Sequence, residues 1–184
     1  MFGVFRLLPL WWVLDTMSFF VDDYSRYTWL ILMHKRSELP QLYIDFGNMV
    51  KTQFSRSIKL FRADNAAEYT DSRVLDFLRQ HGTLPHRSCP GTSQQNGRAE
   101  RKHRHILNTV RSLLISASCP ERFWGEAALT AIYTMNRVPS LTSKNLSPYE
   151  CLGSTDTSRR VTCPVSCRVR HTDTTLRGHF IWRV

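Results

Sequence analysis

Two acidic side chains stand out by where they fall. Asp64 follows Phe61-Arg62-Ala63, at the end of an apolar, strand-like run, and Glu100 opens a long amphipathic segment. Thirty-five residues separate them, enough for a helix, a short strand and a loop to bring the chain back alongside the first strand. Two carboxylates brought to one point are ligands for a hard divalent cation. Each has a plain structural reading as well. Asp64 beside Asn65 can cap a turn, and Glu100 suits the first turn of a helix, where the macrodipole favours an acid.

The residues around Glu100 are basic. Arg98, Arg101, Lys102, His103, Arg104 and His105 crowd the first turns of the same segment. They form either a solvated helix face or one wall of a nucleic-acid groove. The whole chain leans the same way. Lys and Arg number 25 against 15 Asp and Glu, a formal net charge of +10, and the pI is about 9.8. Such a balance favours a polyanionic partner, because each neutralised phosphate releases counterions. Replacing Lys102 and Arg104 should weaken DNA binding and flatten its salt dependence.

The elements that must position these groups can be read from periodicity. Ser18 to Val21 and Tyr27 to Met33 are apolar, β-prone runs around the turn-rich Asp22-Asp23-Tyr24-Ser25-Arg26. They predict a strand, a tight turn and a second strand, with Asp22 and Asp23 as polar turn residues. Ser37 looks like a helix N-cap, ahead of Leu39, Leu42, Tyr43, Phe46, Met49 and Val50 at helical spacing. Pro40 is tolerated in a first turn. Ile58 to Arg62 reads as a strand, Val74 to Leu78 as a short helix stopped by Gly82, and Thr83 to Ser88 as another strand. Cys89 to Gly97, with Pro90-Gly91 and Asn96-Gly97, reads as a loop. A long helix starts near Arg98 or Ala99 with Ile106, Val110, Leu113, Leu114 and Ala117 as its stripe, and Pro120 opens another that ends before Pro139. Phe123 and Trp124 are expected in the core. This alternation argues for a mixed sheet with helices packed on it.

The words formed by these residues resemble the integrases of copia-type retrotransposons. Asp22-Asp23-Tyr24-Ser25-Arg26-Tyr27-Thr28-Trp29 is similar to their Asp-Asp-(Phe/Tyr)-Ser-Arg segment. Arg62-Ala63-Asp64-Asn65-Ala66-Ala67-Glu68-Tyr69 resembles Arg-Ser-Asp-Asn-Gly-Gly-Glu-Tyr, and Gln94-Gln95-Asn96-Gly97-Arg98-Ala99-Glu100-Arg101-Lys102 resembles Gln-Gln-Asn-Gly-Val-Ala-Glu-Arg-Lys. Phe123-Trp124-Gly125-Glu126-Ala127, Asn136-Arg137 and Ser147-Pro148-Tyr149-Glu150 continue the pattern in order, from about Phe19 to Leu152.

The resemblance implies an α/β, ribonuclease H-like fold: a mixed five-stranded sheet flanked by helices. It implies a triad of two aspartates and a glutamate, with Asp64 and Glu100 matching the second and third positions as catalytic residues and metal ligands. The metals would be Mg²⁺ or Mn²⁺, two of them about 4 Å apart, one activating the attacking oxygen and one stabilising the leaving oxygen. The reaction implied is hydrolysis at a DNA 3′ end and attack of that 3′-OH on target DNA. The partners implied are element ends, target DNA and a homo-oligomer, with Arg98, Arg101, Lys102 and Arg104 as DNA contacts. The implied location is the nucleus, or a cytoplasmic particle before nuclear entry.

The family's first aspartate, in an Asp-x-x-Gly-Pro motif on the central strand, has no match. Asp15 is the only acid before Asp22, and the six residues between them cannot hold a strand, a turn and a return strand. The first strand is therefore expected to be degraded or replaced, with Phe2 to Leu14 as one source of a substitute. Strand transfer is expected to be weak or absent, which leaves a non-catalytic basic nucleic-acid-binding module on the same fold as the alternative. Ala66-Ala67 in place of Gly-Gly is a further departure, costly wherever φ > 0 is needed.

Residues 1–17 form an atypical apolar N-terminus, too short and interrupted for a membrane span and lacking a small-residue cleavage site. Residues 18–150 form the core-like domain, and residues 151–184 a degenerate tail expected to be poorly ordered. Five cysteines at scattered positions do not suggest a disulfide framework. Cys163 and Cys167 with His171 and His179 have irregular spacing for a zinc site.

Overall fold

Hydrophobic alternation decides the first element. The computed structural model describes residues 16–63, 71–87, 97–141, 144–153 and, for the backbone alone, 180–183. Strand β1 (Thr16–Val21) pairs antiparallel with β2 (Thr28–Met33), with Phe20 opposite Trp29 and Val21 opposite Thr28. Successive side chains point to opposite faces. Phe20 therefore enters one core cluster, while Met17, Phe19 and Val21 enter another. Burial on both faces explains why this strand reads as a continuous apolar run.

The turn between them is more than polar filler. Asp22 donates its N–H to the Tyr27 carbonyl at 2.9 Å, and Arg26, at φ 64°, donates its N–H to the Asp22 carbonyl at 2.9 Å. Asp22 is only 2% exposed. Its Oδ2 accepts from the Ser25 N–H at 2.8 Å and the Ser25 hydroxyl at 2.6 Å. Asp22 is a polar residue of the turn, as expected, and its carboxylate organises that turn from inside.

Helix α1 (Leu39–Phe54) carries Pro40 in its first turn and buries Leu39, Tyr43, Phe46 and Val50. Ser37 is not its N-cap. It lies inside a 3₁₀ turn, Arg36–Glu38, closed by the Glu38 carboxylate accepting the Lys35 N–H at 3.1 Å. Gly47 lets α1 approach helix α2 (Ser72–Gln80), since a Cβ at that position would meet the Phe77 ring at 2.6 Å. Asp71 caps α2 by accepting the Arg73 N–H at 2.9 Å, and Gly82 leaves it at φ 64°.

Strand β3 (Leu60–Ala63) runs parallel to β4 (Leu84–Arg87), with Phe61 opposite Pro85 and Arg62 opposite His86. Helices α3 (Gly97–Ser116), α4 (Trp124–Arg137) and α5 (Pro148–Gly153) follow, α4 preceded by a 3₁₀ turn at Glu121–Phe123. Ala117, expected on the α3 stripe, lies exposed beyond its end. The last strand, β5 (Phe180–Arg183), pairs antiparallel with β3, Ala63 opposite Phe180 and Leu60 opposite Arg183. Residues 154–179, the greater part of the tail, lie outside the described residues.

Among the described residues the five strands form two sheets, β1–β2 and β4–β3–β5. One core cluster joins the sheet to α1, α2 and Leu152, with Phe20, Trp29, Phe46, Phe61 and Phe77 among its aromatics. The other joins β1 and β2 to α3 and α4 through Phe19, Leu32, Ile106, Val110, Ala128 and Ile132. A fully buried aliphatic such as Ile106 contributes roughly 1.5–3 kcal/mol. The result is the expected mixed α/β arrangement, helices on both faces of short mixed strands.

Candidate nucleic-acid and carboxylate site

Helix α3 presents Glu100. Its inner face is fixed by Ala99, Ile106 and Val110, all buried. Around a helix of 3.6 residues per turn, Glu100 and Arg104 fall on one flank of that buried line. Arg98 and Lys102 fall on the other, and Arg101 points between the flanks, away from the core. Glu100 is half-buried in the first turn, while Arg101 and Arg104 are exposed. The basic residues of this run thus divide between two surfaces instead of forming one.

Arg98 is engaged. Its guanidinium donates to the Asp23 carboxylate in the β1–β2 turn, and Arg26 donates to the same oxygen at 2.9 Å. Partial burial raises the Asp23 carboxyl, but the Arg98 and Arg26 guanidiniums outweigh it and hold the group below its ordinary range. This pair ties the start of α3 to the hairpin turn. Lys102 is shifted for a different reason: burial of its ammonium pushes it down to about 8. His103 lies nearly flat against the Phe19 ring, centroids 5.9 Å apart at 14°, and so faces the core.

Asp64 follows Ala63 directly but lies, with the rest of its motif through Tyr69, outside the described residues. The loop up to Asn96, Phe2 to Leu14 and the Cys163, Cys167, His171 and His179 set lie outside them too. Among the described residues no three His, Cys, Asp or Glu side chains stand close enough to hold a metal ion. Glu100 alone does not satisfy a hard cation, which takes around six oxygen ligands. On the neighbouring strands the Arg62 Nε–H donates to His86 Nδ1 at 3.1 Å, an exposed cross-strand pair on the strand leading into Asp64.

Several recognisable words turn out to be architectural. Asn136, 2% exposed, accepts the Thr28 N–H at 3.0 Å and donates to the Thr28 carbonyl at 2.8 Å, fastening α4 to β2. Arg137 lies 3.6 Å over the Tyr133 ring and 5.0 Å from the Tyr149 ring. Ser147 and Glu150 form a reciprocal cap on α5. The Ser147 N–H donates to the Glu150 carboxylate at 2.8 Å, and the Glu150 N–H to the Ser147 hydroxyl at 3.2 Å. The Ser-x-x-Glu spacing announces that cap in the sequence. No local signal announces the Asn136 clamp. Trp124 packs against the second core cluster as expected, while Phe123 is half-buried beneath Arg122, 5.2 Å from its ring centroid.

Comparison with known proteins bears on the same region. Residues 15–93 match the integrase core domain family. The chain is 39% identical over 122 residues to the retrovirus-related Pol polyprotein from transposon TNT 1-94 of Nicotiana tabacum, a match covering 66% of this chain and 9% of that polyprotein. It is 37% identical over 136 residues to the polyprotein from transposon RE1 of Arabidopsis thaliana, covering 74% of this chain and again 9% of the relative. The chain therefore spans about a tenth of the length of these relatives. Among solved structures, the HTLV-2 integrase catalytic core domain in complex with magnesium superposes with a TM-score of 0.54 at 13% identity, covering 76% of this chain and 97% of that one. The family match, the relatives and the fold converge: residues 15–93 match the integrase core domain, and the chain is similar to a stretch of the Pol polyproteins of copia-type transposons.

Proposed function

We propose that this domain binds DNA through the exposed flank of α3 and has little or no strand-transfer activity of its own. The observation that carries the reading is the position of Glu100. It is half-buried in the first turn of a basic helix, with Arg101 and Arg104 exposed beside it. Asp64 and Glu100 supply two of the three carboxylates that an integrase-type polynucleotidyl transferase needs, and no residue of the chain matches the third. Any remaining activity would depend on Mg²⁺ or Mn²⁺, and among the described residues no three His, Cys, Asp or Glu side chains stand together to hold either. DNA ends and target DNA are the proposed ligands and a homo-oligomer the proposed assembly. The nucleus, or a cytoplasmic particle before nuclear entry, is the proposed location.

The test combines two measurements. Fluorescence anisotropy with a labelled duplex should show binding that weakens steeply with salt. A joining assay with labelled donor ends, plasmid target and Mn²⁺ should show no product. Joined product that disappears in Glu100→Gln would establish an active enzyme and overturn the inactive reading. Salt-independent affinity would overturn the DNA-binding one. The rival reading, a wholly non-catalytic basic module on the same fold, shares the exposed Arg101 and Arg104 but gives Glu100 no role. It requires that Glu100→Gln bind DNA as well as the parent or better.

A further inference from the structure

One carboxylate oxygen gathers two cations. Asp23 Oδ1 accepts from Arg26 at 2.9 Å and also from Arg98, which arrives on α3 from 75 residues along the chain. The Arg73–Asp71 and Arg79–Asp76 pairs, by contrast, join residues two and three apart. Both guanidiniums at Asp23 are carried by backbone that is already fixed. Arg26 has its N–H on the Asp22 carbonyl at 2.9 Å, and Arg98 sits in the first turn of α3, beside the buried Ala99. Two like charges brought to one point repel each other, and the acid between them relieves that repulsion.

The cluster remains open to solvent. The Arg26 and Arg98 side chains are 44% and 52% exposed, and that of Asp23 is 28% exposed. A guanidinium has five N–H donors, so one bond to Asp23 leaves each arginine further donors for an anion. The planar fork also fits the oxygens of a phosphate as it fits those of a carboxylate. The Asp23 oxygen between the two guanidiniums therefore stands where a phosphate oxygen would.

We propose that Arg26 and Arg98 form a binding site for a phosphate of the DNA backbone, and that Asp23 masks it by occupying the place of that phosphate. This rests on the DNA-binding reading above and extends the contact to the flank of α3 away from Arg104. An exposed ion pair is weak in water, so a phosphodiester can displace the carboxylate. Burial alone would raise the Asp23 carboxyl, but the two guanidiniums hold it below its ordinary range, and the mask stays charged at neutral pH. The turn does not depend on it, because the Asp22 carboxylate and Ser25 close the turn from inside. Asp23 thus lowers DNA affinity while the hairpin is held by its neighbour.

The experiment measures duplex binding by fluorescence anisotropy on the full chain. Asp23→Asn should tighten binding about three- to tenfold and steepen the dependence of log affinity on log salt by about 1 to 2, one for each guanidinium released. Asp76→Asn removes the same charge and frees Arg79 on α2. It should change affinity by less than about twofold, because charges away from the contact are screened. With Arg26→Ala and Arg98→Ala in place, Asp23→Asn should also gain less than about twofold. An equal gain in that background would mean simple relief of repulsion and would overturn the site. So would a lowered melting temperature in Asp23→Asn without tighter binding, which would make the bridge a structural tie. Titrating inorganic phosphate into Asp23→Asn should give no saturable heat at millimolar concentration. Saturation there would mark a free-anion site and overturn the assignment to DNA. Should Asp23→Asn not fold, Asp23→Ser, another common turn residue, carries the same expectations. Salt-independent binding by the parent sinks the DNA-binding reading and the mask with it. Salt-dependent binding that Asp23→Asn leaves unchanged sinks the mask alone.

Discussion

Asn136 and Thr28 are joined by a pair of hydrogen bonds that imitates a β-ladder. The Asn136 amide oxygen accepts from the Thr28 N–H at 3.0 Å, and its nitrogen donates to the Thr28 carbonyl at 2.8 Å. Both residues are buried. A side chain of α4 thus extends the hydrogen bonding of β2 by one residue, at the start of the strand that follows the Asp22 turn. Asn136→Ala leaves two buried main-chain groups unpaired, and each such loss costs about 1–3 kcal/mol. Urea unfolding should show a loss of at least about 2 kcal/mol with an unchanged m-value. A loss under about 0.5 kcal/mol, the scale of an ordinary surface substitution, would show that the clamp contributes nothing.

Arg98 and Arg101 are close in sequence but differ in what their charge is doing. Arg98 is bound to Asp23, whereas Arg101 and Arg104 are exposed. Arg101→Ala and Arg104→Ala should each lower DNA affinity and reduce the salt slope by about 1. Arg98→Ala should change the slope less, because part of its charge is already neutralised. A larger effect at Arg98 than at Arg101 would reverse the assignment of the two flanks.

Lys102 gives a pH dependence with a definite sign. Burial lowers it from 10.5 to about 8, so between those values the unfolded chain binds more protons than the folded one. Stability from this group is therefore present above the unfolded value and is lost as pH falls through about 8. Lys102→Met should flatten the rise in stability that the parent shows from pH 8 towards 10.5. Parallel stability curves for parent and variant would refute the shift.

Gly47 and Tyr43 lie on the same face of α1 and predict opposite outcomes. A Cβ at Gly47 would meet the Phe77 ring at 2.6 Å, so Gly47→Ala should cost about 1–3 kcal/mol, although alanine is the better helix former. Tyr43 buries a hydroxyl without a partner, so Tyr43→Phe should leave stability unchanged or raise it by up to about 1 kcal/mol. Thermal unfolding of the two single variants separates the cases. A stabilised Gly47→Ala would mean that α1 and α2 can move apart.

What could be read in advance followed from repetition. The stripe through Ile106 and Val110 located α3, and the apolar runs around Asp22 to Arg26 located the hairpin, because burial of one face or both leaves a periodic trace. Single long-range bonds leave none. Asn136 looks like a poor helix former until Thr28 is placed beside it, and Asp22 looks like a surface turn residue until Ser25 closes over its carboxylate. The division of the basic run was hidden for another reason. A string of charges reads as one patch in sequence, while a rise of 100° per residue sends Arg98 and Arg104 to different sides. Strand β5 could not be anticipated at all, since four residues in a tail without periodicity carry too little pattern to name a partner.

Pro85 has a consequence for assembly. It sits in β4, the outermost strand of its ladder, opposite Phe61. A proline offers no N–H, so that margin of the sheet is missing a donor where another chain would need one. The border is therefore a poor template for sheet-to-sheet fusion. Copies of this domain that meet side by side would have to recognise each other somewhere other than along this β4 margin.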